Sequence, residues 1–238
     1  MIVKAGTLAM SLPTPINWFV TSKLKNKKRN LVILISGRGS NMQTIHKEIT
    51  AGKINAKISA VISNNPDAAG LKYADEQGVT NKALNHRDFT NRETFDQALI
   101  DLIDLHEPDY VILAGFMRIL GQQFVEHYHG RLLNIHPSLL PKYKGLHTHK
   151  RALDAGDSEH GASVHFVTPD LDAGPVIMQT KVAIRPAETE QSLEECVLQM
   201  EHKLYPAAIA LLCQGLIKQG EDCVMYDGET LKAPLLLT

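Results

Sequence analysis

The feature that most constrains the fold is a series of short, uninterrupted apolar runs separated by helical patterns. Residues 31–36 (LVILIS), 57–63 (KISAVIS) and 109–115 (DYVILAG) contain such runs. A short continuous apolar run is typical of a strand that is buried on both faces of a sheet. Because strands that alternate with helices form right-handed βαβ units, the chain from residue 31 to about residue 135 predicts a parallel sheet.

Turn and capping signals between the runs predict where further elements begin. Pro66 can open the second helix, since proline is pre-organised for the first helical position. Thr90 and Glu93 have the spacing of a capping box at the start of a third helix. Short strands are expected near residues 81–84 and 131–135.

The second half of the chain has a different pattern. Residues 161–168 and 174–184 read as strands, and the short segment PDLDA between them requires an antiparallel pair. A long helix follows, which Pro206 is expected to kink. The predicted class is therefore α/β, with a Rossmann-like open twisted sheet that has a parallel N-terminal half and an antiparallel C-terminal extension.

Charge is distributed unevenly along the 238 residues. Residues 1–30 contain six Lys or Arg and no Asp or Glu, which leaves the remainder with 19 basic and 26 acidic residues. We expect residues 1–30 to be a disordered or artefactual tail, and residues 31–238 to form a single domain. A mildly acidic body argues against a nucleic-acid partner. No run of 18 apolar residues occurs, so no membrane span is expected.

The cysteines and histidines predict neither disulfides nor a metal. The three cysteines include no CxxC pair, which favours free thiols in a reducing compartment and hence the cytoplasm. The pairs His127/His129 and His147/His149 lack the cysteines or acidic residues that would complete a metal site.

A glycine-containing loop, residues 35–41 (ISGRGSN), lies between the first strand and the first helix. Glycines let backbone amides approach an anion, and the helix N-terminus adds partial positive charge, so the loop predicts a phosphate site rather than a plain turn. A dinucleotide site is less well supported, because the third glycine of GxGxxG is replaced by Met42.

The segment Asn134-Ile135-His136-Pro137 ends a buried strand. Asn134 and His136 are two residues apart, so they point to the same face at the carboxyl end of the sheet, where α/β folds bind ligands. An amide beside an imidazolium can stabilise an oxyanion. Asp172 lies in a turn, where it either bonds its own backbone or orients His136.

Six segments together resemble the glycinamide ribonucleotide formyltransferases of the monofunctional bacterial type, within the folate-dependent formyltransferase family. The resemblance covers roughly residues 31–230, and its segments are LISGRGSNMQTI, ISNNPDAAGL, LAGFMRIL, GRLLNIHPSLLPKYKGLHTH, GASVHFVTPDLDAGPVI and MEHKLYP. It implies formyl transfer from 10-formyltetrahydrofolate, as co-substrate and without metal, to glycinamide ribonucleotide in purine biosynthesis.

The resemblance also implies roles for individual residues. Asn134, His136 and Asp172 match the catalytic residues, with His165 as a supporting histidine. Gly39, Ser40 and Asn41 match the loop that binds the substrate phosphate, and Glu201 matches the residue that holds the ribose. The folate-binding residues correspond to Arg92, Met117, Arg118, Ile119, Leu120, Asn134, Thr168, Pro169, Asp170, Leu171 and Asp172. The chain departs from the family pattern at Arg38 and Leu198, so we carry no side-chain role to Leu198.

Three alternative functions are each less well supported than formyl transfer to glycinamide ribonucleotide. A 10-formyltetrahydrofolate hydrolase would need an added N-terminal regulatory domain, which a basic tail of 30 residues cannot be. A methionyl-tRNA formyltransferase would need a further C-terminal domain for nucleic acid. A non-catalytic nucleotide-phosphate-binding module would leave Asn134, His136 and Asp172 unexplained. The expected partners are the two small-molecule substrates, with no nucleic acid and no membrane; a homodimer is compatible with the resemblance, but the sequence itself gives no oligomeric state.

Overall fold

A computed structural model describes residues 27–238 of the chain. The predicted basic tail therefore lies outside the described residues, except for its last four positions. Strand β1 (Arg29–Ile35) begins two residues before the predicted start. Asp109 explains the extension, because its carboxylate accepts from the Arg29 guanidinium at 3.0 Å and from the Asn30 backbone N–H at 2.7 Å.

The first half of the described chain alternates strands and helices as predicted. After β1, its elements are α1 (Ser40–Thr50), β2 (Ala56–Ser63), α2 (Ala69–Glu76), β3 (Asn81–Ala83), α3 (Arg92–Asp104), β4 (Tyr110–Leu113), α4 (Gln122–His127) and β5 (Leu132–His136).

Two helix starts differ from the prediction. Helix α2 begins three residues after Pro66, because residues 65–68 form a turn in which Asn65 Oδ1 accepts from Asp67 N at 3.1 Å. The predicted capping box of Thr90 and Glu93 is wrong. Asn91 caps α3 instead, and its side chain accepts from the backbone N–H of Thr94, the third residue of the helix.

The antiparallel extension is confirmed: β6 pairs antiparallel with both β5 and β7. The remaining elements are α5 (Thr148–Asp154), β6 (Glu159–Phe166), β7 (Val176–Ala183), α6 (Glu190–Cys213), β8 (Ile217–Gln219), β9 (Val224–Tyr226), β10 (Glu229–Thr230) and β11 (Leu235–Leu237). The chain end adds β11 parallel to β7, which no sequence pattern indicated. Within residues 27–238, no helix is both long and apolar enough to cross a membrane.

Strand order determines where a ligand can bind. The large sheet of the described chain runs β11-β7-β6-β5-β4-β1-β2-β3, so the chain leaves β1 in one direction and later returns to its other side with β4. The helices that follow β1 and β4 pack on opposite faces of the sheet, in separate hydrophobic cores. Their connections therefore diverge and open a crevice at the carboxyl ends of β1 and β4, with the end of β5 alongside.

Successive side chains of β1 point alternately into the two hydrophobic cores. Leu31, Ile33 and Ile35 are fully buried under α1, α2 and α6, whereas Val32 and Leu34 are fully buried under α3 and α4. Because side chains alternate across a strand, a continuous apolar run is required wherever both faces are covered. The buried strands therefore hold the crevice on a rigid support.

Candidate active site

Strands β5 and β6 and the turn after β6 bring four predicted polar residues together. In the antiparallel register, Asn134 lies opposite His165. Asp172 reaches the end of β5 from the turn, where its Oδ2 lies 3.4 Å from His136 Nδ1. Both side chains of this pair are buried, with 8% and 10% of their surface exposed. The structure thus places Asn134, His136, His165 and Asp172 in one cluster.

Both ring nitrogens of His136 face oxygen atoms. Nε2 lies 2.8 Å from the backbone carbonyl oxygen of Tyr143. Because a carbonyl only accepts, Nε2 carries a hydrogen and donates it. A proton on Nδ1 would point at the Asp172 carboxylate. The ring is thus placed to donate a hydrogen bond or to pass on a proton.

His165 orients the amide of Asn134. Its Nδ1 lies 2.8 Å from the carbonyl oxygen of Phe166, so Nδ1 donates and Nε2 is left as an acceptor. The Asn134 amide nitrogen donates to that Nε2 at 3.3 Å, which leaves its second N–H for a ligand. Burial lowers the pKa of His165 well below its ordinary value, although the Phe166 carbonyl and Asp172 oppose this shift. His165 is therefore neutral at pH 7 and forms no ion pair with Asp172, whose Oδ1 is 3.8 Å away.

Asp172 is held by the loop around Gly145, to whose residues the sequence analysis assigned no role. Its backbone adopts φ 47°, in the left-handed region that aspartate tolerates better than most residues. Its Oδ2 accepts from the backbone N–H of Gly145 at 2.8 Å, 27 residues away in the chain. A turn aspartate that merely bonds its own backbone would not make this contact. Tyr143 and Gly145 thus contribute main-chain groups, for which side-chain patterns give no signal.

The glycine loop ends at the N-terminus of α1. Gly39 is the N-cap with φ 68°, and no side chain caps the helix. The first N–H groups of a helix have no partner within it, so those of Ser40 and Asn41 can donate to an anion. A Cβ on Gly39 would also approach Met42 Cε to 3.1 Å. The position therefore requires glycine for both conformation and space.

Helix α6 contributes Glu201 to the same end of α1. Asn41 Nδ2 donates to Glu201 Oε2 at 2.8 Å, and Asn41 Oδ1 is buried without a partner among residues 27–238. Burial raises the pKa of the Glu201 carboxyl from its ordinary value of 4.5 to about 7, against the opposing hydrogen bond from Asn41. The predicted phosphate and ribose residues are therefore in direct contact, although 160 positions separate them in sequence.

The raised pKa of Glu201 makes the stability of the ligand-free protein depend on pH. Well below pH 4.5 the Glu201 carboxyl is neutral in both the folded and the unfolded protein. Between about pH 4.5 and pH 7 it ionises in the unfolded protein but stays neutral in the folded one. Stability contributed by this group is thus lost across that interval. Replacing Glu201 with Gln should leave the unfolding free energy unchanged at pH 4.5 and raise it at pH 8, by on the order of 3 kcal/mol. Urea unfolding at both pH values measures this, and a variant less stable than the parent at pH 8 would contradict it.

Most of the predicted folate-binding residues lie in two segments, residues 117–120 after β4 and residues 168–172 after β6, and each segment exposes large apolar side chains. Met117 and Ile119, after β4, are 74% and 62% exposed, and Leu171, in the turn before Asp172, is 55% exposed. Large apolar side chains exposed beside a polar crevice are unusual on a free surface, which keeps these residues candidates for ligand binding. The guanidinium of Arg118 lies over the Phe95 ring, with 4.9 Å between Cζ and the ring centroid. The other members of the set are Arg92 at the start of α3, Leu120 packed on the core, and Thr168, Pro169 and Asp170 in the turn.

Among the described residues, no group of three His, Cys, Asp or Glu side chains is arranged to hold a metal ion. One histidine of each predicted pair contacts another side chain. His127 Nε2 is 2.8 Å from Asp104 Oδ2, and His149 Nδ1 is 3.1 Å from His160 Nε2.

Comparison with known proteins gives consistent matches. The formyl transferase family profile matches residues 29–209. Phosphoribosylglycinamide formyltransferase of Escherichia coli (strain K12) is 50% identical over 202 residues, which cover 85% of this chain and 95% of that protein. Its namesake from Haemophilus influenzae is 39% identical over 85% of this chain and 96% of that protein. The solved phosphoribosylglycinamide formyltransferase of Coxiella burnetii superposes with a TM-score of 0.85 at 45% identity, covering 89% of this chain and all of that one.

Proposed function

Because the chain belongs to the formyl transferase family, we propose that the cluster at the end of β5 transfers a formyl group from 10-formyltetrahydrofolate to the amine of glycinamide ribonucleotide. Similarity to phosphoribosylglycinamide formyltransferases over nearly their whole length makes the chain a formyltransferase of purine biosynthesis. The observation that carries the assignment of residues is the convergence of Asn134, His136 and Asp172 beside the crevice between β1 and β4.

The incoming amine needs little activation. A glycyl amine has an ordinary pKa of about 8, so a useful fraction is neutral near pH 7 and can attack the formyl carbon directly. The formyl oxygen then gains negative charge. The free N–H of Asn134 and a proton of His136 stabilise that charge, as donors held in place before the reaction begins.

Completion of the reaction requires one proton to move. The attacking nitrogen forms a bond to the formyl carbon and loses a proton, while the bond from that carbon to the folate nitrogen breaks and the departing nitrogen gains one. The proton lost by the attacking nitrogen passes to a water held by the Asp172 carboxylate, and from there, directly or through His136, to the departing nitrogen. The residues thus need neither a metal nor a covalent intermediate.

The nucleotide is held at the N-terminus of α1. In our proposal, the loop Gly39, Ser40 and Asn41 binds its phosphate and Glu201 binds its ribose. The unpartnered Oδ1 of Asn41 supports this assignment, because a buried acceptor is stabilised by a donor such as a ribose hydroxyl. The exposed apolar side chains of Met117, Ile119 and Leu171 fit the flat folate ring.

Turnover with and without glycinamide ribonucleotide tests the function. We expect 10-formyltetrahydrofolate to lose its formyl group only when the nucleotide is present, with formylated nucleotide as the product. Equally fast deformylation without the nucleotide would identify a hydrolase. Nucleotide binding without any turnover would identify a non-catalytic module.

A charge reversal in the glycine loop tests the phosphate site. In Ser40→Asp, a carboxylate would lie beside the substrate phosphate, and repulsion between like charges a few ångströms apart should weaken nucleotide binding by at least about tenfold. Binding of tetrahydrofolate should change by less than about twofold, which makes it the internal control. Calorimetry measures both dissociation constants, and equal losses for the two ligands would remove the loop from phosphate binding.

We also propose the cytoplasm as the location, because Cys196, Cys213 and Cys223 all carry free thiols, as a reducing compartment maintains them. Homodimerisation stays a prediction, which sedimentation analysis would test.

A further inference from the structure

The segment Phe116–Leu120, between β4 and α4, lines the folate side of the crevice in the proposed function. The two residues that precede this segment are hydrogen-bonded to the end of β1: Ala114 N donates to Leu34 O at 2.9 Å, and Gly115 O accepts from Ser36 N at 3.0 Å. Beyond that point, no main-chain hydrogen bond within residues 27–238 joins positions 116–120 to the rest of the backbone. An exposed segment of this kind needs another constraint to keep one conformation.

Side chains supply that constraint at both ends. The Met117 N–H donates to Ser36 Oγ at 2.7 Å, and the Ser36 hydroxyl in turn donates to Asn64 Oδ1. At the other end, the Gly121 N–H donates to Asp96 Oδ2 at 2.7 Å. The two acceptors come from different elements, one directly after β1 and the other within α3, so the segment is tied both to the end of a central strand and to a helix that packs on the sheet.

Asp96 is a buried acidic residue whose hydrogen bond is to Gly121, the N-cap residue of α4. It lies on the apolar face of α3 with Phe95, Leu99 and Ile103, and it is only 5% exposed. Its Oδ1 has no hydrogen-bond partner among the described residues. Burial raises the pKa of its carboxyl, and the Gly121 hydrogen bond and the nearby guanidinium groups of Arg92 and Arg118 only oppose this shift. A buried polar group without full pairing destabilises the fold, so its contact with Gly121 points to a functional use.

Gly121 shows how close that contact is. Its φ of −75° and ψ of 166° are accessible to any L-residue, so its backbone conformation does not require glycine. A Cβ at this position would, however, lie 2.8 Å from Asp96 Oδ2. The absence of a side chain therefore serves the carboxylate.

We propose that Asp96 and Ser36 are positioning residues that hold the two ends of the segment Phe116–Leu120 and thereby form the folate cleft. The proposal rests on the proposed function, which assigns this segment to the folate. Neither residue contacts the cluster of Asn134, His136 and Asp172 in the structure, so their effect is on folate binding and not on the chemical step.

Binding of tetrahydrofolate, measured by calorimetry, tests the Asp96 end. Asp96→Ala leaves the Gly121 N–H without its acceptor and should raise the dissociation constant roughly tenfold to a hundredfold. Asp96→Asn should restore binding, because an amide oxygen also accepts from that N–H. Asp101→Ala, on an exposed position of the same helix, is the matched control and should bind as the parent does. At saturating folate, kcat of Asp96→Ala should stay within about threefold of the parent.

Gly121→Ala provides an independent test through the same contact. The added methyl group should displace the carboxylate and weaken folate binding as Asp96→Ala does. Combined with Asp96→Ala it should add little, because no carboxylate is left to displace. Ser36→Ala should raise the folate dissociation constant by itself and add to Asp96→Ala, since it releases the other end.

The outcomes separate this inference from the function. If the parent protein neither binds tetrahydrofolate nor transfers a formyl group, the proposed function fails. If the parent binds folate, and Asp96→Ala and Gly121→Ala bind it equally well while their melting temperatures fall, then Asp96 is merely structural and the inference is wrong. If Asp96→Ala does not fold, folate binding by Gly121→Ala and Asp96→Asn decides the question. Weakened binding in Gly121→Ala together with retained binding in Asp96→Asn supports the positioning role of Asp96, and any other combination overturns it.

Discussion

Replacing Asp172 with asparagine should lower kcat by roughly 10²–10⁴-fold while the protein stays folded, in line with the usual contribution of acid-base groups. Asparagine has the same shape, and its carbonyl oxygen can still accept from Gly145 N, as Asp172 Oδ2 does at 2.8 Å. What disappears is the negative charge, 3.4 Å from His136 Nδ1. That charge stabilises the imidazolium and holds the water or proton needed by the departing folate nitrogen.

Asp227 offers a matched control for this change. It is an exposed aspartate with φ 49°, close to the 47° of Asp172, and it lies in the C-terminal hairpin away from the cluster. Asp227→Asn should therefore show the effect of the substitution on a left-handed turn alone, with kcat unchanged. If Asp172→Asn likewise kept its rate and lost only thermal stability, Asp172 would be a turn residue, and Asn134 and His136 would carry the reaction without it.

Removal of the Asn134 amide should lower kcat by about 10²–10³-fold, the usual effect of deleting one donor to an oxyanion. The reason is that its N–H is fixed in direction before the substrate arrives, since the same amide donates to His165 Nε2 at 3.3 Å. Asn134→Ala should change KM for both substrates much less than kcat, because the negative charge on oxygen is greatest in the transition state. Steady-state kinetics with each substrate varied in turn measures the two effects.

A second substitution separates the orientation of the amide from its presence. His165→Phe removes the acceptor, so the amide should lose its fixed direction and kcat should fall, though less than in Asn134→Ala. In the Asn134→Ala background, the same change should cost little, as expected for two residues that act through one contact. If the losses of kcat in the two variants were additive, His165 would act on the reaction by another route. If Asn134→Ala kept a normal rate, His136 would be left as the donor to the oxyanion.

Most of the parallel half of the fold could be predicted, because burial on both faces of a strand leaves a pattern in neighbouring residues. Strand β1 illustrates this: its unbroken apolar run results from two cores that meet on one strand. Helix starts were less predictable. Thr90 and Asn91 are both good capping residues, and local sequence does not determine which of them takes the extended conformation that closes the first turn. Strand β11 could not be predicted, since its pairing with β7 depends on the path of the whole C-terminal segment.

The site divides in the same way. Asn134 and His136 could be predicted together because two positions on one strand necessarily share a face. Asp96 left a signal that could have been noticed, an acidic residue within the apolar stripe of α3, but nothing in the sequence named Gly121 as its partner. The Tyr143 carbonyl and the Gly145 N–H are main-chain groups. Every residue type provides the carbonyl and every type except proline provides the N–H, so side-chain patterns do not mark them.

By itself, the sequence determined what covalent spacing enforces: which residues alternate across a strand, where glycine permits a close approach to an anion, and which side chains lie at the end of β5. Only the tertiary structure decided which of these meet. Asn41 and Glu201 are 160 positions apart, and they touch because α6 packs beside α1 on one face of the sheet. The tertiary structure also shifts the pKa values of Glu201 and His165. Both shifts arise from burial, and these side chains are buried only once distant segments of the chain have packed together.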